Sequence, residues 1–404
     1  MEIYLVGGAV RDALLSIESS EKDWVVVGAT PEDMVELGYR PVGKDFPVFL
    51  HPETGEEYAL ARTERKQGHG YKGFVFNCSP EVTLEDDLWR RDLTINAIAR
   101  KADGSLVDPH GGQEDLAAKK LRHVSAAFAE DPLRVLRTAR FAAKFAHLGF
   151  AVSNDTITLM QQISTSGELK YLAAERIFSE LRRALETDSP EKFIGTLRDC
   201  SALQELLPEV NALFGVPQTE THHPEVDAGV HVMLCLQLAA ELGVSSEIRF
   251  ALLLHDLGKA VTPKQQLPSH IGHERTGLPL VRTVCERFRV PNNWRDLALL
   301  VCEFHLQCHR AAELKPSTKI KLLERADAFR KPQRFEEFLL ACELDARGRE
   351  GRRDRAYPQR QMLSALATSC ANIDTKAMRS QGKEGKALGE AIRDARVSIA
   401  SQSS

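Results

Sequence analysis

The chain has 404 residues, 43% of them hydrophobic and 27% charged, a composition that suits a soluble protein of roughly two to four domains rather than a single core. Its net charge of −4 speaks against a surface coated in basic charge for nucleic acid, while leaving room for a local basic groove. No stretch has the length of a membrane span, the N-terminus MEIYLVGG lacks a basic segment followed by a long apolar run, and none of the eight cysteines forms a CxxC pair, so the chain is expected to be cytoplasmic, with reduced thiols and no zinc ribbon.

The first 125 residues alternate short apolar runs with turn signals. Ile3–Val6 and Trp24–Val27 read as strands, Glu57–Ala61 and Phe74–Cys78 as two more, and Leu106–Val107, stopped by Asp108-Pro109, as another. From Asp131 the character changes: Leu133, Leu136, Arg140 and Phe141 have helical spacing, and helix follows helix, punctuated by Gly149, Gly167, Pro190 and Gly215. Pro217, Thr219, Thr221 and Pro224 mark a boundary near 215–228. The six arginines between Arg347 and Arg360 face only Glu350 and Asp354, and read either as a solvated surface or as an RNA-contacting patch. The last thirty residues, rich in Lys, Gly, Ala and Ser, are expected to end frayed. The fold class is α+β, a mixed first part followed by all-α regions.

Four constellations in the first 141 residues carry chemistry. Gly7-Gly8-Ala9-Val10-Arg11-Asp12 directly follows a strand; its glycines let the backbone approach a phosphate, and Arg11 adds a charge-assisted contact, although a tight strand-to-helix turn explains the same residues. Glu21-Lys22-Asp23 opens the next strand, where residues two apart share a face, so Glu21 and Asp23 present two carboxylates side by side. Magnesium is commonly held by one or two carboxylates plus substrate phosphates; the alternative is a polar strand edge. In Arg90-Arg91-Asp92-Leu93-Thr94-Ile95-Asn96-Ala97, two arginines beside an aspartate suit a triphosphate or a charged helix start. In Glu130-Asp131-Pro132-Leu133-Arg134, Asp131 suits an N-cap and Pro132 the first turn, with Arg134, Arg137 and Arg140 along one broad side of the helix. A carboxylate and an arginine at the mouth of a pocket can satisfy the Watson–Crick edges of bases.

Taken in this order, these four segments resemble the motifs of the bacterial class II CCA-adding enzymes and poly(A) polymerases. Ala61-Arg62-Thr63-Glu64 is similar to that family's motif between head and neck, and Ala174-Glu175-Arg176-Ile177 to its last helical motif, so the resemblance covers about residues 1–180. It implies a polymerase-β-like nucleotidyltransferase head with a mixed sheet over 1–125 and a helical neck and body over 126–225. It also implies roles: Gly8 and Arg11 at the triphosphate, Glu21 and Asp23 as catalytic carboxylates on Mg2+, and Asp131 with Arg134 as a protein template for CTP or ATP. Arg91, Arg137 and Arg140 would support the nucleotide, and tRNA would be the acceptor. One residue departs from the pattern: the family's pair is usually Asp-x-Asp, whereas this chain has Glu21-x-Asp23. Glutamate, one methylene longer, can still reach the ion through another rotamer, though octahedral geometry is strict.

The second half holds His231, then His255-Asp256-Leu257-Gly258-Lys259 after the apolar run Phe250–Leu254, then His270, His273, His305 and Asp345. An adjacent His-Asp at a helix end can put an imidazole and a carboxylate on one metal; a His from an earlier helix and an Asp from a later one complete four ligands. HDLGK behind an apolar run resembles the HD-domain phosphohydrolases, over about residues 228–345, followed by a helical tail over 346–404. The resemblance assigns His231, His255, Asp256 and Asp345 to a transition metal, Ni2+ among the candidates, and Lys259 is placed to neutralise a phosphate. An HD module behind a class II head resembles the multifunctional CCA proteins, which couple CCA addition to phosphatase, 2′-nucleotidase and 2′,3′-cyclic phosphodiesterase activities. Two other readings stand beside this one: a poly(A) polymerase, and an HD phosphohydrolase with a weakened transferase head. The sequence leaves monomer and homodimer both open.

Overall fold

The computed structural model describes residues 1–18, 22–42, 48–66, 74–380, 382 and 384–402, with backbone alone at 64–66 and 74–76. It divides into two compact units, one of Met1–Ala184 with Lys192–Leu206, the other of Leu185–Glu191 with everything from Leu207 on.

The first unit is built on a mixed sheet of seven strands in the order β3-β4-β5-β2-β1-β8-β9. These are β1 (Glu2–Val6), β2 (Asp23–Val27), β3 (Arg40–Val42), β4 (Val48–Leu50), β5 (Glu57–Leu60), β8 (Ala99–Arg100) and β9 (Leu106–Val107); β6 (Thr63–Lys66) and β7 (Phe74–Asn77) form a separate antiparallel ladder. β2 runs antiparallel to β1, with Asp23 opposite Val6, and parallel to β5, with Asp23 opposite Glu57. Its Trp-Val-Val-Val sequence is apolar on both faces because the strand is covered on both. Val25 packs with Tyr4, Val6 and Leu88, and Val26 with Met34, Phe49 and Leu60. Each such buried aliphatic chain is worth about 1.5–3 kcal/mol relative to exposure.

The five expected strands are present. Those not foreseen are short: β3 is Arg-Pro-Val, wholly exposed at the sheet edge where Pro41 removes no needed ladder bond, and β8 is two residues long. The helices Pro31–Glu36 and Leu84–Trp89, which cover the sheet, start on reciprocal capping boxes, Thr30 with Asp33 and Thr83 with Asp86. A long helix, Leu133–Phe145, follows the sheet; Asp131 accepts from the Leu133 N–H at 3.0 Å and so caps its start.

The second unit contains no strand among its described residues. Ser246–Leu254 lies at its centre, with Phe250 to Leu254 all buried, which is why that stretch is apolar without periodicity. Around it lie Ala228–Glu241, Asn292–His309 and Pro332–Arg347, and His273–Arg287 packs against Asn292–His309. The final segment is helical over Gly385–Gln402 rather than frayed through its length: Ala400 is buried, and the Arg396 guanidinium lies 3.6 Å from the Phe329 ring centre.

Candidate active sites

A cavity of about 590 Å3 in the first unit is lined by Gly8, Arg11, Asp23, Arg91, Asp131, Arg134, Arg137 and Arg140, all residues singled out in the sequence. Glu21 lies outside the described residues. Basic side chains outnumber acidic ones two to one along the wall.

Local structure explains the convergence. Gly7 ends β1 at φ 69°, and a Cβ there would stand 2.9 Å from Arg91 Nη1, so the glycine allows the turn and the arginine to share that space. Asp87, fully buried, accepts from Arg90 at 2.5 Å and from Arg91 at 3.0 Å. Burial would raise its carboxyl, yet the two arginines hold it below the usual carboxylate range. Asp92 plays the same part for the helix Leu133–Phe145, accepting from Arg137 at 2.7 Å and from the Asn96 amide at 2.9 Å. Burial again opposes ionisation there, and Arg137, Asn96 and Arg134 reverse it, holding the carboxyl well below its usual range.

Arg11 is buried, donates to Asp12 at 2.7 Å and to Asn96, and stacks on Phe141 and Phe145. Burial pulls its pKa down against the pull of Asp12. Arg134 donates to the carbonyls of Ala127 and Arg90, both at 2.6 Å, fastening the helix Leu133–Phe145 to the segments before it. Asp131 pairs with Arg176 at 3.1 Å, and Arg140 with Glu180 at 2.6 Å; both partners come from the helix Ala174–Leu185.

Sequence reading did not single out Asp87, Glu180 or Glu57. Glu57 stands opposite Asp23 on the adjacent parallel strand and also lines the cavity. Only the pairing of β2 with β5 puts these two carboxylates together. A magnesium ion, content with one or two carboxylates plus phosphates, fits this donor set.

The second unit gathers His231, His255, Asp256 and Asp345, each at most 2% exposed. His231 Nε2 is 3.1 Å from Asp345 Oδ1 and 3.9 Å from Asp256 Oδ2; His255 Nε2 is 3.2 Å from Asp256 Oδ2 and 3.7 Å from Asp345 Oδ1. Despite these separations, His255 Nε2 and both Asp256 oxygens have no partner in hydrogen-bond geometry among the described residues. Unsatisfied donors converging in this way suit a cation, although His231 Nε2 and Asp345 Oδ1 are themselves within hydrogen-bond reach at 3.1 Å. His255 donates Nδ1–H to the Leu252 carbonyl at 2.7 Å, which leaves its Nε2 lone pair facing the cluster. Burial would lower the His255 imidazole, yet Asp256 and Asp345 carry it up to about 10: the pocket demands positive charge, which a divalent ion would supply while displacing the proton. These residues therefore fit a metal.

Supporting groups surround them. Glu225 accepts from His231 Nδ1 at 3.0 Å, and His309 holds the second oxygen of Asp345 at 2.7 Å. Lys259 pairs with Asp256 at 2.6 Å. A Cβ on Gly258 would fall 2.0 Å from the His273 carbonyl oxygen, so this glycine lets the His-Asp-Leu-Gly turn lie against the start of the helix His273–Arg287. A cavity of about 980 Å3 beside the cluster is lined by Lys259, His270, His273, Arg349, Arg352 and Arg355, among others. The arginine run thus divides: Arg349, Arg352 and Arg355 reach this cavity, whereas Arg347 and Arg360 pair with Glu343.

Known proteins resemble this chain in sequence and in fold. The family model for the poly A polymerase head domain matches residues 3–122, that for the probable RNA and SrmB-binding site of polymerase A matches 149–214, and that for the HD domain matches 229–331. The multifunctional CCA protein of Pseudomonas syringae pv. syringae (strain B728a) is 58% identical over 98% of this chain and 97% of its own length. That of Thioalkalivibrio sulfidiphilus (strain HL-EbGR7) is 56% identical over 100% and 98%. Among solved structures, a CCA-adding enzyme in apo form II aligns over 99% of this chain and 88% of its own at TM-score 0.67 and 19% identity. The Thermotoga maritima CCA-adding enzyme complexed with tRNA aligns over 100% and 90% at TM-score 0.64 and 19% identity. Likeness to the solved structures shows the fold; relatives more than half identical over nearly the whole length show more, and the chain belongs to the family of multifunctional CCA proteins.

Proposed function

We propose that this chain adds C, C and A to the 3′ end of tRNA from CTP and ATP without a nucleic-acid template, releasing pyrophosphate, and that its second unit hydrolyses phosphate esters at blocked RNA ends. The observation that carries the reading is the convergence of residues from separate motifs (Gly8, Arg11, Asp23, Arg91, Asp131, Arg137) on one basic cavity, on a chain that also holds the buried His-Asp cluster. The working division is a head over 1–125, a neck and body over 126–225, a hydrolase over 228–345 and a helical tail over 346–404.

In nucleotidyl transfer the tRNA 3′-oxygen bonds to the α-phosphorus and the bond to pyrophosphate breaks. Asp23, with Glu21 and the neighbouring Glu57, is assigned to Mg2+, which when bound supplies activation of the 3′-oxygen and neutralises the leaving charge. Arg91 and Arg137, aimed by Asp87 and Asp92, face the triphosphate. Asp131 and Arg134 read the base edge, and Arg140 is steadied by Glu180. In this assignment the carboxylates act as clamps that hold flexible arginines in one geometry, so less ordering is left for binding.

In the second unit His231, His255, Asp256 and Asp345 are assigned to a transition metal, with Ni2+ one candidate, which when bound supplies a hydroxide from water near neutral pH. Lys259 and Arg349 stand where a phosphate would bring negative charge. An end carrying a terminal or 2′,3′-cyclic phosphate has no free 3′-hydroxyl, so hydrolysis there would restore the nucleophile that the head uses. The expected setting is the cytoplasm, where tRNA, ATP and CTP are available.

The test is extension of a tRNA that ends at its discriminator base, with Mg2+ and CTP alone, ATP alone, then both. Two additions with CTP and a third only with both is the expected outcome. A long A ladder would make it a poly(A) polymerase; no extension with intact nucleotide binding would leave the hydrolase as the working site.

A further inference from the structure

We propose that Arg352 and Arg355 bind the phosphodiester backbone that leads to a blocked RNA end, so that the second unit hydrolyses the end of a strand in preference to a lone nucleotide. The inference rests on the reading of that unit as a hydrolase of phosphate esters.

Six arginines crowd the stretch from Arg347 to Arg360, and they differ in what neutralises them. Arg347 and Arg360 pair with Glu343, and Arg353 pairs with Glu241. Arg352 and Arg355 have no ion-pair partner among the described residues, and both line the cavity of about 980 Å3 beside the His-Asp cluster. The wall of that cavity carries five lysines and arginines against two glutamates, and one of the two, Glu313, is already taken by Arg310. Positive charge left uncompensated along a wall attracts a polyanion.

The backbone builds this wall. The Arg352 N–H donates to the Arg349 carbonyl and the Arg355 N–H to the Arg352 carbonyl, each at 3.0 Å, so two turns in succession deliver an arginine at every third residue. A turn keeps its ends within about 7 Å, a step short enough for neighbouring phosphates of one strand to meet successive arginines. Two of the guanidiniums are aimed by backbone carbonyls: Arg352 Nη2 donates to Thr221 at 2.6 Å and Arg349 Nη1 to His222 at 3.2 Å. A carbonyl orients a guanidinium without cancelling its charge and leaves other N–H donors for an anion; Arg349 Nε is buried with no partner among the described residues. Burial, then the charges of Arg349 and Arg355, lower the Arg352 pKa, and a bound phosphate would relieve that repulsion.

Position and size point to a strand. Arg349 lies 3.5 Å from Asp345 Oδ1, so the row begins at the cluster, and it becomes more exposed toward Arg355. The cavity is larger than the 590 Å3 of the first unit, to which a whole nucleoside triphosphate is assigned. Ile271, 86% exposed, and Leu306 line it too and offer apolar surface to unstacked bases. A lone nucleotide at the cluster would leave Arg352 and Arg355 unused.

The test compares hydrolysis of adenosine 2′,3′-cyclic phosphate with that of a triadenylate ending in the same cyclic phosphate, by the full-length protein with divalent metal supplied, over a range of salt. The triadenylate should have a KM lower by about 10-fold or more, and its log KM should rise against log salt more steeply by about 1.4, the value for two phosphates of a single strand. Arg352→Ala and Arg355→Ala should each move the KM toward that of the mononucleotide and take about 0.7 from the slope, with unfolding midpoints checked, whereas Arg353→Ala should keep the preference. A triadenylate with uncharged methylphosphonate linkages should behave as the mononucleotide does. Equal KM values for strand and mononucleotide would overturn the inference and leave the hydrolase reading standing. A preference that survives both variants, or survives the uncharged linkages, would overturn these arginines as its source. Absence of hydrolysis with either substrate would overturn the hydrolase reading, and the inference with it.

Discussion

Arg137 sends two donors to a single oxygen of Asp92, Nη2 at 2.7 Å and Nε at 2.8 Å, while the other oxygen takes the Asn96 amide at 2.9 Å and the Leu93 N–H at 2.8 Å. The contact ties the Arg-Arg-Asp-Leu-Thr-Ile-Asn-Ala segment to the helix Leu133–Phe145 at the wall of the cavity. Because the folded carboxyl is held below its unfolded value of about 3.9, this pair adds stability that is fully present above about pH 4 and fades as pH falls toward the folded value. Asp92→Asn should cost about 3 kcal/mol at pH 7 and flatten the acid limb. Urea unfolding at pH 7 and at pH 3.5 reads both effects; an unchanged acid limb would mean that Asp92 is not its source.

The role proposed for Asp131 bears on selection rather than on transfer itself. If it reads base edges while Arg176 steadies it, Asp131→Ala should narrow the preference for CTP and ATP over UTP and GTP by about 10–200-fold in kcat/KM. Arg91→Ala should instead raise KM for CTP and ATP alike, since a triphosphate is common to both. Single-nucleotide incorporation kinetics separate these outcomes.

Glu21 is the residue in which this chain departs from the resemblance noted in its sequence. Glu21→Asp should retain tRNA extension, and Asp23→Ala should reduce it by about 100-fold or more without touching the second unit's hydrolysis. Extension that survives Asp23→Ala would move the metal carboxylates elsewhere.

Glu225 holds His231 through Nδ1 and also accepts from His223 at 2.9 Å. Glu225→Ala should weaken metal affinity at the His-Asp cluster by about 10–100-fold, with Glu225→Gln intermediate, and leave CCA addition intact. Metal titration reads the affinity directly, and unchanged binding would reduce Glu225 to a structural role.

Gly258→Ala places a methyl group 2.0 Å from the His273 carbonyl oxygen. The backbones must separate, at about 1–3 kcal/mol, and the turn carrying His255 and Asp256 moves with them. Hydrolysis of bis(p-nitrophenyl) phosphate should fall sharply while tRNA extension persists.

The sequence by itself determined the order of the parts. Trp24–Val27 read as a strand, Phe250–Leu254 as an apolar run ahead of the His-Asp pair, and Gly7-Gly8 as a close approach to phosphate or a tight turn, because apolar runs and backbone freedom are local properties. Short segments escaped it: β3 and β8 exist through their neighbours in the sheet, not through any pattern of their own. Only the tertiary structure decided which charges meet. Glu57 stands beside Asp23 because β5 runs parallel to β2, Asp92 meets Arg137 across 45 residues of chain, and Asp345 joins His231 across 114. Glu225 and His309 carried no local sign that they would hold His231 and Asp345, since only packing brings each within reach of its partner.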